Sequence, residues 1–283
     1  MNTTPIIAIL TDFGTSDAYV GTMKGVALSI CPSAQLVDLT HAIQPQNVRQ
    51  AAYVLLTAFR HFPPHTVFLI VVDPGVGTDR EPIAVVTDRG SFVAPNNGVL
   101  SYVLPLLQVQ HASVLQNDAY YQPGLSATFH GRDIFSPAAA HLAAGVPVTE
   151  FGPAVPELIE LPDPTLTVEP ARVTGEVLHI DHFGNVITSI GQMLWTDPDA
   201  LELTPQFGAD RDAVRAVDAA RSRVTTGSRT VDAIHRTYSA VPPGTMTALV
   251  GSSGQLEIGI NQGSAAQQLG VTLGDPVILE LGG

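Results

Sequence analysis

The sequence has little cysteine and few basic residues, and both shortages limit what the protein can be. Cys31 is the one cysteine among 283 residues, so neither a disulfide nor a cysteine-based zinc site can form within one chain. This composition is typical of a reducing compartment, and a cytoplasmic location is expected. Lys and Arg number 13 against 26 Asp and Glu, giving a formal charge of -13. Nucleic acids and anionic membranes are therefore disfavoured as partners, because both require a basic surface.

Long apolar runs and common nucleotide-binding motifs are also lacking. The first apolar run, residues 6–10, is too short for a membrane span and has no basic region before it, so no signal peptide is expected. Neither Gly-x-Gly-x-x-Gly nor Gly-Lys-Ser/Thr occurs, which disfavours a dinucleotide or P-loop site. Hydrophobic residues nevertheless make up 45% of the chain, so a sizeable core can be buried.

The apolar pattern of the first half predicts an α/β domain. Apolar runs at residues 6–10, 36–39 and 67–72 alternate with helical periodicity at 19–30 and 48–59. This order is typical of a mostly parallel central sheet covered by helices. An antiparallel pair of strands is also expected at residues 83–87 and 91–94. Two further helices are expected, one at residues 99–107 and one from residue 134 or 135 to 144.

The second half has a different character. Short apolar runs separated by Gly, Asn and Pro turns predict a smaller all-β, barrel-like domain. Residues 153–170 contain five prolines and form the best candidate for a linker. We therefore predict an α/β domain at 1–160, a linker at 161–171 and a β domain at 172–283. Within the polar segment 208–236, residues 212–221 are compatible with a helix.

Four polar residues in the first domain are candidates for chemistry. Asp12 follows the first strand; an Asx turn or helix cap is the plain explanation, and binding of a ligand diol is the functional one. Asp73 and Arg80 are compatible with a surface ion pair, but Asp73 ends the most apolar strand, where a carboxylate needs a partner. His130 precedes a helix beside Gly131, which would let a ligand approach closely.

The second domain offers turns that suit either structure or ligand binding. Asp181 and Asn185 fit a plain turn, or a site in which Asp181 binds an ammonium and Asn185 a polar group; Asp181 is also compatible with a metal site together with His179 and His182. No further His or Cys is spaced to complete that site, so no metal is expected. Residues 251–254 suit either a tight turn or a small nest for a carboxylate. Three other candidates for polar contacts or ring stacking are Tyr238, Asn261 and Gln262.

Together these motifs resemble the S-adenosyl-L-methionine (SAM) hydroxide adenosyltransferase family. These adenosine-forming SAM hydrolases are relatives of the fluorinase and chlorinase enzymes. The resemblance spans nearly the whole chain. The motifs that carry it are Thr11-Asp12-Phe13-Gly14, Asp73-Pro74-Gly75-Val76-Gly77, Ala94-Pro95-Asn96-Asn97-Gly98, Thr128-Phe129-His130-Gly131-Arg132-Asp133, Asp181-His182-Phe183-Gly184-Asn185 and Gly251-Ser252-Ser253-Gly254.

The resemblance implies a homotrimer in which SAM lies between the first domain of one subunit and the second domain of its neighbour. It implies that Asp12 holds the ribose hydroxyls and that Asp181 and Ser252 bind the amino-acid end. The implied adenine contacts are Asn185 and Tyr238. The remaining implied substrate-binding positions are Phe129, Gly131, Ser253, Asn261 and Gln262.

Within the family, the resemblance favours water over halide as the nucleophile. Halogenases carry tyrosine at the position of Asp73, and the fluorinase carries a fluoride-binding serine at Gly131. The hydroxide-using members share the trio matched here by Asp73, Arg80 and His130. Elementary electrostatics agrees, because a carboxylate repels a halide but suits a water molecule that must lose a proton. Ser253 departs from the fluorinase, which has a carboxylate-binding arginine there.

The sequence therefore predicts hydrolysis of SAM to adenosine and L-methionine by in-line attack of water on the ribose C5′. No separate cofactor is expected, since SAM is the substrate. Two alternatives stay open at this point: a SAM-dependent halide transferase and a non-catalytic protein that binds SAM or adenosine. A 5′-halogenated product would indicate the first, and tight binding without turnover would indicate the second.

Overall fold

The chain divides into two compact units after Leu161. The structure, a computed structural model, describes residues 4–209 and 211–282. In this part of the chain, no helix combines the length and the apolar character needed to cross a membrane.

The first unit is built on a six-stranded sheet in the order β2-β1-β3-β5-β4-β6. The β1–β2, β1–β3 and β3–β5 pairs are parallel, and β4 runs antiparallel to both of its neighbours. This confirms the predicted mostly parallel sheet with an antiparallel hairpin. The strands are β1 (Ile6–Thr11), β2 (Gln35–Thr40), β3 (Val67–Val71), β4 (Pro82–Thr87), β5 (Ser91–Pro95) and β6 (Val109–Val114).

Three helices accompany this sheet: α1 (Tyr19–Ile30), α2 (Val48–Ala58) and α3 (Ser136–Ala143). Every residue of β3 is buried, as expected for a strand covered on both faces. Helix α3 contributes a run of buried alanines to the core beside β3, and small side chains allow the helix to lie close to the strand. The carboxyl end of β3 is thereby buried, with Val71 and Val72 only 2% and 0% exposed.

The helix predicted at residues 99–107 is wrong. The described structure has turns there and one short 3₁₀ segment, Leu104–Leu106. Pro105 explains the difference, because proline has no N–H to donate and so cannot make the hydrogen bond that an α-helix running through it would require.

The second unit consists mainly of strands, which confirms its predicted all-β character. A nine-stranded sheet has the path β14-β13-β18-β8-β9-β17-β16-β15, with β7 paired to β8, and β10-β11-β12 form a separate antiparallel sheet. Because β14 also lies beside β16, the larger sheet curls into a barrel-like shape. The strands in this unit are β7 (Leu166–Val168), β8 (Arg172–Ile180), β9 (Val186–Thr188), β10 (Met193–Trp195), β11 (Ala200–Leu203), β12 (Arg215–Asp218), β13 (Arg223–Thr226), β14 (Arg229–Asp232), β15 (Ile234–His235), β16 (Met246–Val250), β17 (Leu256–Ile260) and β18 (Pro276–Glu280).

Strands in this unit occupy two segments for which the sequence predicted another structure. The prediction of a possible helix at residues 212–221 is wrong, since β12 occupies the centre of that segment and pairs with β11. Val217 is buried opposite Leu201, and this cross-strand contact outweighs the weak helical propensity of a short polar segment. Strand β7 lies within the segment predicted as a linker. One short helix, α4 (Ala265–Leu269), begins at the Ser264 cap.

Candidate active site

The turn after β3 begins with Asp73 and folds back so that Arg80 contacts the Asp73 carboxylate. The backbone N–H of Val76 donates to the carbonyl of Asp73 at 3.2 Å, and the Thr78 hydroxyl donates to the Gly75 carbonyl at 2.7 Å. The Asn97 amide donates to the Val72 carbonyl at 2.9 Å and holds the strand end from the side. These bonds fix the seven-residue path from Asp73 to Arg80.

Asp73 and Arg80 form a buried, bidentate ion pair. Arg80 Nε lies 3.0 Å from Asp73 Oδ1, and Arg80 Nη2 lies 2.5 Å from Oδ2. Their side chains are only 5% and 7% exposed, so this is no ordinary surface pair. The guanidinium also lies 5.2 Å from the ring centre of Phe135. Arg80 Nη1 is buried and has no hydrogen-bond partner among the described residues.

His130 completes the group through Arg80. Its Nδ1 lies 3.2 Å from Arg80 Nη2. Because a guanidinium can only donate, Nδ1 must accept, which places the proton of a neutral imidazole on Nε2. His130 directly precedes a π-helical turn at Gly131–Phe135, a form often found at functional sites. The structure thus brings the three predicted catalytic residues together.

Burial shifts the titration of both Asp73 and His130. Removal from water raises the pKa of the Asp73 carboxyl above its ordinary value, and the Arg80 charge only partly offsets this. Removal from water also lowers the pKa of His130, and the Arg80 charge lowers it further. The bidentate bond from Arg80 favours the ionised form of Asp73, and the lowered pKa of His130 favours its neutral imidazole.

Asp12 lies at the end of the strand next to β3. Thr11 pairs with Val71, so Asp12 and Asp73 follow neighbouring parallel strands at the same sheet edge. The Asp12 Oδ2 accepts a hydrogen bond from the Gln46 N–H at 2.7 Å. Gln46 has a φ of 67°, a conformation that few residues other than glycine adopt. The Gln46 N–H thus anchors one oxygen of the carboxylate from a strained backbone position.

Phe129 and Gly131 lie in an aromatic surrounding. Phe129 packs edge-on against Phe13 and Tyr19, with ring centres 6.0 and 5.2 Å apart. A Cβ added to Gly131 would lie 3.2 Å from Met23 Sδ and 3.3 Å from the Phe129 ring. A larger residue at position 131 would therefore displace its neighbours.

The second unit contains a cavity of about 850 Å³. Its polar wall includes six of the seven substrate-binding residues predicted in this half: Asp181, Asn185, Tyr238, Ser252, Asn261 and Gln262. Ser253 lies outside the lining, and its carbonyl accepts a hydrogen bond from Gln192. The apolar part of the wall comes from Phe183, Leu249, Val250 and Ile260.

A chain of hydrogen bonds crosses this cavity wall. Asp181 accepts bonds at 2.9 Å from the backbone N–H groups of Phe183 and Asn185, and a third at 2.9 Å from the Asn185 amide. The same amide lies 3.2 Å from the Tyr238 hydroxyl, which donates to Glu257 Oε1. Burial, followed by the bond to Glu257, raises the pKa of Tyr238, so the phenol stays protonated.

Glu257 is the cavity residue that the sequence reasoning missed. It occupies β17, in the run Leu256-Glu257-Ile258, and was not distinguished from a solvent-facing residue of an alternating strand. A charged residue within an otherwise apolar strand was the available signal. The structure buries Glu257 to 7% exposure. The described residues contain no group of three His, Cys, Asp or Glu arranged to hold a metal ion.

Comparison with known proteins identifies the family. The model of the SAM hydroxide adenosyltransferase N-terminal domain matches residues 7–152, and that of the C-terminal domain matches residues 175–278. The chain belongs to the SAM hydroxide adenosyltransferase family. The resemblance inferred from the motifs is thereby confirmed.

Similar proteins match either nearly the whole chain or about two thirds of it. One from Salinispora arenicola, named (R)-S-adenosyl-L-methionine hydrolase, is 38% identical over 286 residues and covers 100% of both chains. The crystal structure of an uncharacterized conserved protein from Thermotoga maritima superposes with a TM-score of 0.84 at 38% identity, covering 96% of this chain and 99% of that one. A fluorinase from an Actinoplanes species is 32% identical, over 67% of this chain and 72% of its own.

Proposed function

We propose that the protein hydrolyses SAM to adenosine and L-methionine. The observation that carries this proposal is the buried group of Asp73, Arg80 and His130 at the carboxyl edge of the first sheet. The full-length relative named (R)-S-adenosyl-L-methionine hydrolase supports it. A halide nucleophile is disfavoured here, because the Asp73 carboxylate would repel an anion.

The reaction is an in-line displacement at the ribose C5′. The water oxygen forms a bond to C5′ while the C5′–S bond breaks, and the bonding electron pair leaves with sulfur as a neutral thioether. Since a sulfonium is a good leaving group, no general acid is required. Asp73 polarises the attacking water and is the first acceptor for its proton, because each carboxylate oxygen can accept more than the Arg80 bond. Arg80 and His130 keep the carboxylate oriented and ionised.

The proposal assigns the two units different parts of the substrate. Asp12, with one oxygen held by Gln46, binds the ribose hydroxyls, and Phe129 and Gly131 border the reacting carbon. In the second unit, Asn185 and Tyr238 contact adenine, and Asp181 and Ser252 face the amino-acid end. Asn261, Gln262 and Ser253 complete the adenine and carboxylate surroundings. We further propose a homotrimer in which each site combines a first unit with the second unit of a neighbouring subunit, in the cytoplasm.

The relatives' names also specify the configuration at sulfur. Because the L descriptor already defines the α-carbon, the (R) descriptor refers to the sulfonium. We propose that this protein shares the preference for the (R) sulfonium epimer. In-line attack supports such a preference, since it requires the sulfur to lie opposite the water, and inversion at sulfur moves the methyl group into the space of the methionine chain.

Turnover in labelled water tests the proposal. The protein is incubated separately with each sulfonium epimer of SAM in water enriched in heavy oxygen, with chloride present. The expected products are methionine and adenosine whose 5′-hydroxyl carries the label, formed faster from the (R) epimer. A 5′-chlorinated nucleoside would indicate a halide transferase, and binding without any product would indicate a non-catalytic binding protein; either result would refute hydrolysis.

A further inference from the structure

The cavity of the second unit contains two carboxylates and is suited to a cation. Among the described residues that line it, Asp181 and Glu257 are acidic and none is Lys or Arg. SAM brings two positive charges, the sulfonium and the α-ammonium, and one negative charge, the α-carboxylate. The acidic wall therefore favours the ammonium side of the amino-acid end over its carboxylate.

The two carboxylates differ in what their oxygens already bind. Both oxygens of Asp181 accept hydrogen bonds from within its own turn. Glu257 Oε1 accepts from Tyr238, whereas no hydrogen bond from the described residues reaches Oε2. The Glu257 residue as a whole is nevertheless only 7% exposed to solvent. Since Glu257 also lines the cavity, the oxygen of this carboxylate that receives no donor is a position for a ligand donor.

The absence of a side chain at Gly251 leaves room for Glu257 Oε2 beside the loop at residues 251–254. A Cβ at position 251 would lie 2.5 Å from Glu257 Oε2, closer than atoms can approach. The free oxygen therefore lies against the loop that is proposed to face the amino-acid end of SAM. Glu257 reaches that end from one side, and Ser252 lines the same cavity.

We propose that Glu257 binds the α-ammonium group of the substrate through Oε2. This assignment rests on the proposed function, and it makes Glu257 a specificity-determining residue that Tyr238 holds in place. Burial raises the pKa of Glu257, and a bound ammonium would offset that by favouring the ionised carboxylate. The protein should then require the amine of its sulfonium substrate more strongly than the carboxylate.

Two substrate analogues separate these groups. Decarboxylated SAM keeps the primary amine and lacks the carboxylate, whereas S-adenosyl-4-methylthio-2-oxobutanoate keeps the carboxylate and has a keto group in place of the amine. We expect kcat/KM for decarboxylated SAM to lie within about 10-fold of that for SAM, because no cationic side chain lines the cavity. For the keto analogue we expect a loss of about 10- to 100-fold, the value of a charged hydrogen bond.

Glu257→Gln tests the contact directly, with Glu202→Gln on the exposed face of β11 as the matched control. The variant should lose about 10- to 100-fold in kcat/KM for SAM and decarboxylated SAM, chiefly through KM, and change little with the keto analogue. A structural role for Glu257 would instead lower kcat/KM equally for all three substrates, which would overturn the proposal. Equal wild-type rates with SAM and the keto analogue would also overturn it.

A second variant and a second measurement keep the outcome clear. If Glu257→Gln does not fold, Gly251→Ala places a methyl group against Oε2 and should remove the same preference for the amine. If the wild-type protein does not hydrolyse SAM, the proposed function fails by itself. Calorimetric binding of SAM and the keto analogue then still tests Glu257, since equal affinities would refute its contact with the ammonium.

Discussion

At the scale of single residues, the role of Asp73 depends on a buried arginine. Replacing Asp73 by Asn keeps its shape but removes the negative charge that is proposed to polarise the attacking water. We expect Asp73→Asn to lower kcat by about 10²- to 10⁴-fold, while the Kd for SAM changes by less than about 3-fold. Single-turnover kinetics and calorimetry measure the two effects. Asp79→Asn, an exposed residue in the same turn, should behave like the wild type. A large loss of SAM affinity in Asp73→Asn would refute this role.

The pH dependence of activity follows from the two shifted groups. Burial raises the pKa of Asp73 above 3.8, so its active carboxylate form is lost as the pH falls through that higher value. Burial and Arg80 lower the pKa of His130 below 6.5, so the imidazole is already neutral at that pH. We expect kcat/KM to stay constant around neutral pH and to decline in the acid range as Asp73 becomes protonated. The decline should persist in His130→Asn, and its disappearance would assign it to His130 instead.

Gly131 provides a test of how strictly the first unit excludes a halide site. The family resemblance implies a fluoride-binding serine at this position in the fluorinase. A serine Cβ would lie 3.2 Å from Met23 Sδ and close to two phenylalanine rings. We expect Gly131→Ser to destabilise the protein by about 1–3 kcal/mol and to reduce hydrolysis without producing a 5′-chloronucleoside. Thermal denaturation and product chromatography check this, and a chlorinated product would contradict it.

The residues of the candidate site could be predicted where their position along a strand indicated whether the side chain is buried. Asp73 ends an apolar strand, so its burial could be inferred, and the family motifs added Arg80 and His130. Glu257 was missed because alternation in β17 gives a charged residue the appearance of a solvent-facing one. Only the packing of Tyr238 against β17 shows that it is buried beside a cavity.

At the scale of elements, the end of β3 depends on a neighbouring turn. Asn97 donates to the Val72 carbonyl at 2.9 Å and accepts a bond from the Val99 N–H at 3.2 Å. Asn97→Ala leaves the buried Val72 carbonyl without this donor. We expect a loss of about 1–3 kcal/mol in the free energy of unfolding and a fall in kcat, because Asp73 follows directly. Urea denaturation and steady-state kinetics measure both. Ser101→Ala, in the same turn region, should lose stability with a smaller change in kcat.

The elements that sequence reasoning found are those with strong local signals. Strands β1 to β5 and helices α1 and α2 are bounded by abrupt changes from apolar to polar residues or by proline. The segment at 99–107 failed because Pro105 interrupts an apolar run that otherwise suits a helix. Strand β12 failed because its stability comes from pairing with β11, which local propensity does not contain.

At the scale of the whole molecule, the proposed trimer predicts that two inactive chains can restore each other. In such a trimer each site takes Asp73 from one subunit and Asn185 from the next. Chains carrying Asp73→Asn and chains carrying Asn185→Ala would each be inactive alone. When the two are co-expressed in equal amounts, a site is intact only if its first unit comes from the Asn185→Ala chain and its second unit from the Asp73→Asn chain. Random assembly makes about a quarter of the sites intact.

We therefore expect the complexes of co-expressed chains, purified through a tag common to both variants, to recover about a quarter of the wild-type kcat per site, whereas mixtures of separately assembled variants recover none. Light scattering on the same sample should give three times the chain mass of 29.8 kDa. Complementation is expected because the first unit contains Asp73, Arg80 and His130, which are proposed to activate water, whereas the second unit contains the cavity proposed to bind the substrate. If each site were formed by a single chain, both variants would stay inactive in every mixture, and a trimer without complementation would exclude shared sites.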